Sequence, residues 1–339
     1  MEMSRRKSRP QRPQITSIFI ACEGKNTERI YFEFIKEQIQ EEEVLAIRVY
    51  PDETNENPKT NALNLVREAQ NQIDSYNEVW AVFDKDGDTQ LEESFNLAKK
   101  KINGKNVNIA FSSIAFEHWF LLHFDKNKTE FSASDCKDEK DDSLFCGRDN
   151  HANNCAGNIC VAGYLREQNF IKDYTKRARN KAVYNIVRQL LEDNQLVDKA
   201  IENASWLRFQ QREELENKSL YEINPYTNVD VLVKRLLGIT KDIKWANLAE
   251  TIDLEDAEVT INLSGANLQV VISNKRNISF ISTQCAFSTI DSENNIVLCN
   301  IEKRIIEPQN EETFLLCERT ENLSLIKVEF ENIICLVEI

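Results

Sequence analysis

The chain has 339 residues and a formal net charge of −14. This length provides for two or three domains with ordinary cores, and the acidic balance argues against a protein that wraps long duplexes with its whole surface, although it leaves room for a local basic patch. No apolar run reaches the roughly 20 residues that a membrane span needs, and the basic, polar N-terminal segment lacks the apolar stretch of a signal peptide. We therefore expect a cytoplasmic protein without a membrane partner.

The first part of the chain alternates between apolar runs and segments with helical periodicity. A basic, proline-containing segment at 1–14 is predicted to be a disordered arm. The pattern then predicts strands at 15–21, 44–50, 78–83 and 107–111, and helices at 27–42, 61–76, 91–102 and 115–124. Such alternation is typical of an α/β fold with a parallel sheet flanked by helices, and we assign this core to residues 15–125.

The remaining residues differ from this core in composition and periodicity. Residues 126–165 are polar and hold four of the nine cysteines, and we interpret them as an insertion. Helical periodicity returns at 166–240, where Asn224-Pro225 marks a boundary before a helix at 229–237. From 241 to 339, short β-branched runs alternate with polar turns, which predicts an acidic β-rich C-terminal domain.

Two of the predicted strands end at acidic residues. Glu23 follows the first strand, and Asp84 and Asp86 follow the third. Because the carboxyl ends of parallel strands share an edge where ligands collect, we expect these carboxylates to lie together. Carboxylates held close repel unless a cation lies among them, and their oxygens suit Mg²⁺ or Mn²⁺. We predict that all three are catalytic, with Asp84 and Asp86 as metal ligands and Glu23 as a further ligand or as the general base that activates water. Candidates for further metal ligation, including a second ion, are Asp88, Glu28 and Glu117.

A structural interpretation of the same residues stays open. The Asp-Lys-Asp-Gly-Asp segment at 84–88 is also typical of a turn, and Glu23 is also the kind of charge that stabilises a helix N-terminus. Glu117, on an otherwise apolar helix, is either a ligand or a core carboxylate with its own hydrogen bonds.

Several blocks of sequence resemble the RloB-like family. They are Cys-Glu-Gly-Lys-Asn-Thr-Glu with Tyr-Phe at 22–32, Val-Phe-Asp-Lys-Asp at 82–86, and the apolar-aromatic block at 110–124, with weaker blocks at 174–176, 200–204 and 224–229. The resemblance covers about residues 15–238, and it implies a Toprim-type catalytic domain with Glu23, Asp84 and Asp86 in the metal-binding positions. It also implies a role in prokaryotic anti-phage defence, where such proteins resemble effector nucleases, and an ATPase partner.

A basic cluster with interleaved tyrosines follows the insertion. Its members are Tyr174, Lys176, Arg177, Arg179 and Lys181, and Tyr184 extends it. Basic side chains beside aromatic rings suit a phosphate track with base stacking, so we predict nucleic-acid binding here. A solvated helix face is the alternative.

The insertion carries side chains that could bind zinc. They are Cys136, Cys146, His151, Cys155 and Cys160. A structural zinc site usually needs two close cysteine pairs, and only the last two cysteines come near that spacing. Free thiols are therefore the default prediction and zinc the alternative.

Taken together, these features favour metal-dependent phosphodiester hydrolysis. RNA, such as transfer RNA, is favoured over DNA because the chain is acidic overall. No glycine-rich phosphate-binding motif occurs, so a nucleotide-driven step is assigned to a partner. Two alternatives remain: a nucleotidyl-transfer enzyme on the same core, and a non-catalytic adaptor that recognises a phage or host protein. The acidic C-terminal domain is predicted to regulate the site by covering the basic groove or by docking a partner.

Overall fold

The computed structural model describes residues 16–23, 26–39, 45–52, 61–85, 87–134, 160–168, 170–171, 174, 180–320 and 322–339. The predicted basic arm and most of the cysteine-containing insertion lie outside these residues. Contacts divide the chain into two compact units. The first comprises Met1–Leu121, Thr129–Val197 and Tyr221–Leu237. The second comprises Leu122–Lys128, Asp198–Leu220 and Gly238–Ile339.

The described helices and strands are as follows. The α-helices are α1 (Thr27–Ile39), α2 (Ala62–Asn71), α3 (Leu91–Ala98), α4 (Glu117–Leu122), α5 (Val161–Glu167), α6 (Asn180–Glu192), α7 (Asn194–Gln210), α8 (Arg212–Asn217) and α9 (Val229–Leu237). The strands are β1 (Thr16–Cys22), β2 (Leu45–Tyr50), β3 (Glu78–Asp84), β4 (Asn108–Ser113), β5 (Tyr226–Thr227), β6 (Asp242–Asn247), β7 (Thr251–Asp253), β8 (Ala257–Ser264), β9 (Asn267–Asn274), β10 (Phe280–Ile281), β11 (Ala286–Asp291), β12 (Ile296–Cys299), β13 (Ile305–Ile306), β14 (Glu311–Glu318), β15 (Leu323–Phe330) and β16 (Ile333–Glu338).

The first unit is built on a five-stranded sheet with the order β2-β1-β3-β4-β5. Strand β1 is parallel to β2 and β3, and β3 is parallel to β4. Strands β1 and β3 are buried along most of their length, as expected of continuous apolar runs in the middle of a parallel sheet. The predicted parallel α/β sheet is confirmed, and the carboxyl ends of β1, β3 and β4 lie at one edge.

The fifth strand comes from a distant part of the sequence. Strand β5 pairs antiparallel with β4, and the hydroxyls of Ser112 and Thr227 lie 2.9 Å apart. The side-chain oxygen of Asn228 accepts a 2.7 Å hydrogen bond from the N–H of Phe111, and its amide nitrogen donates to the carbonyl of Ile109 at 3.0 Å. The segment that the sequence indicated as a boundary therefore completes the sheet.

Helix α3 ends earlier than predicted. We expected a helix over 91–102, but it stops at Ala98. The chain then closes a tight turn in which Ile102 pairs with Lys105, and the two residues between them, Asn103 and Gly104, have φ of 51° and 82°. Asn-Gly is the pair that most readily adopts this left-handed conformation, so the turn limits the helix.

The second unit contains two facing sheets. Their strand orders are β12-β11-β15-β16-β6 and β14-β9-β8-β7. Apart from the parallel pair β16 and β6, the neighbouring strands in these sheets pair antiparallel. Side chains from both sheets, such as Val259, Val270, Val328 and Phe330, belong to one buried apolar cluster. The predicted β-rich C-terminal region is confirmed, and its architecture is a sandwich.

Helical residues before position 240 also belong to this second unit. Trp206 and Leu207 on α7 pack against Trp245 and Leu336 of the sheet, and the indole N–H of Trp206 donates to Glu338 at 2.8 Å. We expected the whole of 166–240 to complete the first unit, but 198–220 lies with the sandwich instead. The apolar face of α7 is the physical reason, because it covers the outer side of β6 and β16. In the part of the chain that the structure describes, no helix is long and apolar enough to cross a membrane.

Candidate functional site

Glu23 and Asp84 meet at the carboxyl edge of the first unit's sheet. The N–H of Glu23 donates to the carbonyl of Val82 at 3.0 Å, which extends the pairing of β1 with β3 by one residue. The carboxylate of Glu23 then accepts a hydrogen bond from the N–H of Asp84 at 3.2 Å. The strand ends therefore bring two of the three predicted catalytic residues together. The third, Asp86, lies outside the described residues.

Asp84 also contacts the start of α4. Its Oδ2 accepts a 3.3 Å hydrogen bond from the N–H of Phe116, and its side chain is only 6% exposed. The next residue, Glu117, opens the helix and is 1% exposed. The end of β3 and the start of α4 thus present two buried carboxylates on adjacent elements.

Tyr174 completes this part of the site. Its hydroxyl donates a 2.5 Å hydrogen bond to Oε1 of Glu117, and its side chain is 1% exposed. Burial, followed by the negative charge of Glu117, raises the pKa of Tyr174, so the hydroxyl remains a donor throughout the neutral range. We expected this ring to stack on bases in a phosphate track. That expectation was wrong for the described conformation, because the ring is enclosed by protein.

Glu28 adds a fourth carboxylate. It lies in the first turn of α1 and is 8% exposed. Its pKa is raised well above the ordinary value by burial first, and then by the charges of Asp84, Glu117 and Glu23 in that order. Glu23, Glu28, Asp84 and Glu117 therefore act on one another electrostatically, and we refer to these four residues as the carboxylate cluster.

The chemistry of the carboxylate cluster fits a hard divalent cation. All four side chains offer oxygen donors, and a cation would lower the raised pKa of Glu28 by neutralising its neighbours. The observed arrangement of the described side chains does not form a full coordination shell. Within the described ranges, which omit Asp86, no three His, Cys, Asp or Glu side chains are arranged to hold one metal ion. The cluster thus supplies suitable donors rather than a finished coordination shell.

Asp88 has a different environment. Its Oδ2 accepts a 2.8 Å hydrogen bond from the N–H of Ala62 at the start of α2, and its Oδ1 accepts one of 2.7 Å from the N–H of Gln90. The first contact fastens the loop after β3 to the start of α2, as a capping side chain does, and the second closes a local turn before α3. These contacts give no support to the prediction that Asp88 binds a second ion.

Only part of the predicted nucleic-acid track can be located. Lys176, Arg177 and Arg179 lie outside the described residues, whereas Lys181 is exposed on α6. Lys181 lines an open groove of about 490 Å³. The other lining residues are Arg29, Ile30, Glu33, Glu37, Asp52 and Tyr184. Sequence reasoning missed Arg29, although it directly follows the block at 22–28.

The described zinc candidate has a structural role. Cys160 is buried, and its sulfur accepts a 3.3 Å hydrogen bond from the N–H of Gly163 at the start of α5. Cys136, Cys146, His151 and Cys155 lie outside the described residues, so the zinc alternative stays a prediction.

Comparisons with solved structures give slight similarities. The yjhA protein of Bacillus subtilis is 12% identical, with a TM-score of 0.21, over 27% of this chain and 98% of its own. The alkylpurine DNA glycosylase AlkC of Pseudomonas fluorescens, bound to DNA containing an abasic site analog, is 8% identical, with a TM-score of 0.14, over 48% of this chain and 53% of its own. Such low TM-scores carry no argument about fold or function. A comparison with curated proteins found no match.

The comparison with protein families gives a clear result. The model of the RloB-like protein family matches residues 18–236, a range that extends from β1 into α9. All four residues of the carboxylate cluster, and Tyr174 with them, lie inside the matched range. The chain therefore belongs to the RloB-like protein family.

Proposed function

We propose that this chain is a metal-dependent nuclease that hydrolyses phosphodiester bonds, with a Toprim-type catalytic domain. The carboxylate cluster is the observation that carries the proposal. Four largely buried acidic side chains converge from the ends of β1 and β3 and from the first turns of α1 and α4. Burying several like charges is costly, and proteins tolerate the cost where a cation or a transferred proton is part of the function.

Each residue has a role in this proposal. Glu23 and Asp84 would hold Mg²⁺ or Mn²⁺, together with Asp86 from the same loop. The bound cation supplies Lewis-acid stabilisation of the phosphate and lowers the pKa of a water molecule. Glu28, whose pKa is raised by burial and by the neighbouring carboxylates, would lose its proton when the cation binds and would then serve as a further ligand. Tyr174 holds Glu117 in position through their hydrogen bond.

The finer features of the proposal concern substrate and setting. We favour RNA, including transfer RNA, over DNA because the chain is acidic, and we assign substrate contact to the basic residues around Lys181. The family resemblance supports an effector role in anti-phage defence and an ATPase partner, to which any nucleotide-driven step would be assigned.

A second candidate function is a non-catalytic adaptor that binds a phage or host protein. One observation favours it, namely that no three acidic side chains among the described residues are arranged to share an ion. In that case the carboxylate cluster would be an internal feature of the fold. An adaptor would keep its partner when Glu23 or Asp84 is replaced by the corresponding amide.

The deciding experiment compares nuclease activity with matched variants. Purified protein is incubated with transfer RNA, single-stranded DNA and plasmid DNA, with Mg²⁺, with Mn²⁺ or with EDTA. We expect cleavage of RNA that requires metal, disappears in Asp84→Asn and persists in Asp88→Asn, since Asp88 has a capping role. Incorporation of labelled nucleoside triphosphates would instead identify the nucleotidyl-transfer alternative. If neither activity occurs while Glu23→Gln and Asp84→Asn keep the same protein partner as wild type, the adaptor function replaces the nuclease.

A further inference from the structure

Two cysteines of the second unit face the interior of its sandwich from opposite sheets. Cys299 pairs with Phe287 across β12 and β11, and Cys317 pairs with Leu268 across β14 and β9. Directly opposed residues in antiparallel strands place their side chains on the same face. Phe287 and Leu268 both belong to the buried cluster between the sheets. Both thiols therefore point inward, and both pack against that cluster.

The two cysteines also lie on the same side of the sandwich. Strands β6 and β7 are edge strands of the two sheets, and only residues 248–250 join them. These two edges must therefore be neighbours. The opposite edges, β12 and β14, then share the other side of the sandwich.

The two thiols are close enough to act on each other electrostatically. Cys299 and Cys317 are half-buried free cysteines, and the Cys299 sulfur donates to the carbonyl of Val297 at 3.8 Å. Burial, followed by the proximity of Cys299, raises the pKa of the Cys317 thiol to about 11. Two inward-facing thiols on the same side of one sandwich reach the geometry of a disulfide when their side chains and the edge strand adjust locally.

The strand that carries Cys299 is an exposed edge strand. Strand β12 lies at the edge of its sheet, and Ile296, Val297 and Leu298 are 64%, 62% and 76% exposed. An exposed apolar edge strand is a liability that proteins usually cover or restrain. A covalent bond at its final residue would restrain it.

We propose that Cys299 and Cys317 are a disulfide-forming pair that links the two sheets when a low-molecular-weight disulfide, such as oxidised glutathione, is present. The Cys299 thiolate attacks one sulfur of the oxidised glutathione, forms a mixed disulfide and releases one glutathione thiolate. The Cys317 thiolate then attacks the sulfur of Cys299 and releases the second glutathione. The two protein thiols lose two electrons and two protons, and one glutathione disulfide becomes two glutathione thiols.

The test is peptide mapping of the full-length protein. The folded protein is incubated with oxidised glutathione or with dithiothreitol, quenched in acid, treated with iodoacetamide and digested with trypsin and a glutamate-specific protease. Trypsin cuts after Lys303 and Arg304 and so separates Cys299 from Cys317, and cleavage after Glu293 separates Cys299 from Cys285. We expect a linked peptide that contains Cys299 and Cys317 as the main oxidised product, and its loss after dithiothreitol.

Two variants provide controls. Cys285→Ser removes a buried thiol of the same unit and should leave the linked peptide unchanged. Cys317→Ser should leave Cys299 with a single glutathione adduct. The proposal is overturned if, after oxidation of the wild-type protein, both cysteines are alkylated, carry separate glutathione adducts, or are linked to other cysteines. Because the decisive measurement uses wild-type protein, it does not depend on the folding of a variant.

Discussion

The hydroxyl of Tyr174 donates a 2.5 Å hydrogen bond to Glu117, although the two residues are 57 positions apart. Glu117 opens the helix whose preceding residue, Phe116, donates its N–H to Asp84. A segment beyond the cysteine-containing insertion is therefore joined to the end of β3 through two successive contacts. The position of the carboxylate cluster depends on this distant tyrosine as well as on the strands.

The first prediction concerns this contact. Tyr174→Phe removes one hydrogen-bond donor from a buried carboxylate, and we expect the free energy of unfolding to fall by about 1–3 kcal/mol. Tyr184→Phe is the matched control, since the Tyr184 hydroxyl contacts Glu37 at an exposed position. We expect that change to have little effect on the free energy of unfolding, as is usual for an exposed position. Urea unfolding measures both, and equal losses in the two variants would contradict a special role for Tyr174.

The second prediction concerns pH. Since burial and neighbouring carboxylates raise the pKa of Glu28 in the folded state, the folded protein keeps a proton that the unfolded chain releases. Stability from this group is therefore present below its ordinary pKa, 4.5, and is lost as pH rises towards the raised value. Glu28→Gln should remove this loss of stability. The difference in the free energy of unfolding between the variant and wild type should therefore grow by about 1.4 kcal/mol per pH unit in that window.

The measurement for Glu28 is urea unfolding between pH 4.5 and 8 in EDTA. The unfolding free energies of wild type and Glu28→Gln should converge at the acid end and diverge towards neutral pH. A difference that stays constant over the range would mean that Glu28 titrates normally in the folded protein.

The third prediction follows from the proposed metal site. A ligand that binds only the folded protein stabilises it by about 2.7 kcal/mol at 100 times its dissociation constant. Saturating Mn²⁺ or Mg²⁺ should therefore raise the melting temperature of wild type and of Asp88→Asn by several degrees. It should leave Asp84→Asn unchanged. A shift that survives in Asp84→Asn and disappears in Asp88→Asn would mean that Asp88, and not Asp84, is the metal ligand.

The fourth prediction concerns the edge of the first unit's sheet. Asn228→Ala removes the side-chain partners of the Phe111 N–H and the Ile109 carbonyl, and we expect a loss of about 1–3 kcal/mol. Asn228→Asp keeps the acceptor for Phe111 but places a carboxylate oxygen against the Ile109 carbonyl, so it should also destabilise the protein. Hydrogen exchange of the Phe111 amide distinguishes them: exchange should accelerate in the alanine variant and stay slow in the aspartate variant.

The fifth prediction concerns truncation. Removing residues 241–339 would expose Trp206 and Leu207, which pack against Trp245 and Leu336. We expect the truncated chain to aggregate or to lose the structure of α7, as measured by size-exclusion chromatography and circular dichroism. A soluble monomer with intact helix content would show that α7 is stable without the sandwich.

The predicted regulatory role of the acidic C-terminal residues needs a test that leaves the sandwich folded. Replacing the exposed Glu255, Glu293 and Glu318 by glutamine keeps the sandwich while it reduces the negative charge. If the acidic surface restrains the nuclease, the triple variant should cleave RNA faster than wild type. Equal rates would count against charge-based regulation.

The sequence predicts the parallel sheet well because its central strands are continuous apolar runs. Strand β1 and strand β3 have no helical periodicity and end at acidic residues, so the sequence alone assigns Glu23 and Asp84 to one edge of the sheet. Glu28 and Glu117 are predicted as ligands from their residue type. Their mutual influence depends on the packing of α1 and α4 over the strand ends, which periodicity alone does not specify.

Other features have too little local signal to be predicted. Strand β5 has two residues, and its pairing depends on a contact with β4 across more than one hundred positions. Tyr174 lies among basic residues, and the composition of this segment suggested an exposed nucleic-acid-binding surface. Its burial depends on where the chain returns after the insertion. The packing of α7 against the sandwich likewise depends on tertiary contacts, which Trp206 and Leu207 make.

The position of Asn228, far downstream of Phe111 in the sequence, has a consequence for synthesis in the cell. Phe111 leaves the ribosome 117 residues before the side chain that secures it, a delay on the order of 10 s at usual elongation rates. Over that interval the edge of β4 has neither β5 nor Asn228 beside it. A nascent chain interrupted before residue 174 also lacks the tyrosine that fastens Glu117. Fragments that end before residue 174 should therefore lack the support of the carboxylate cluster, and fragments that end between 174 and 228 should lack the completed edge of the sheet. The proposed nuclease activity would then be confined to chains that have been synthesised at least through Asn228.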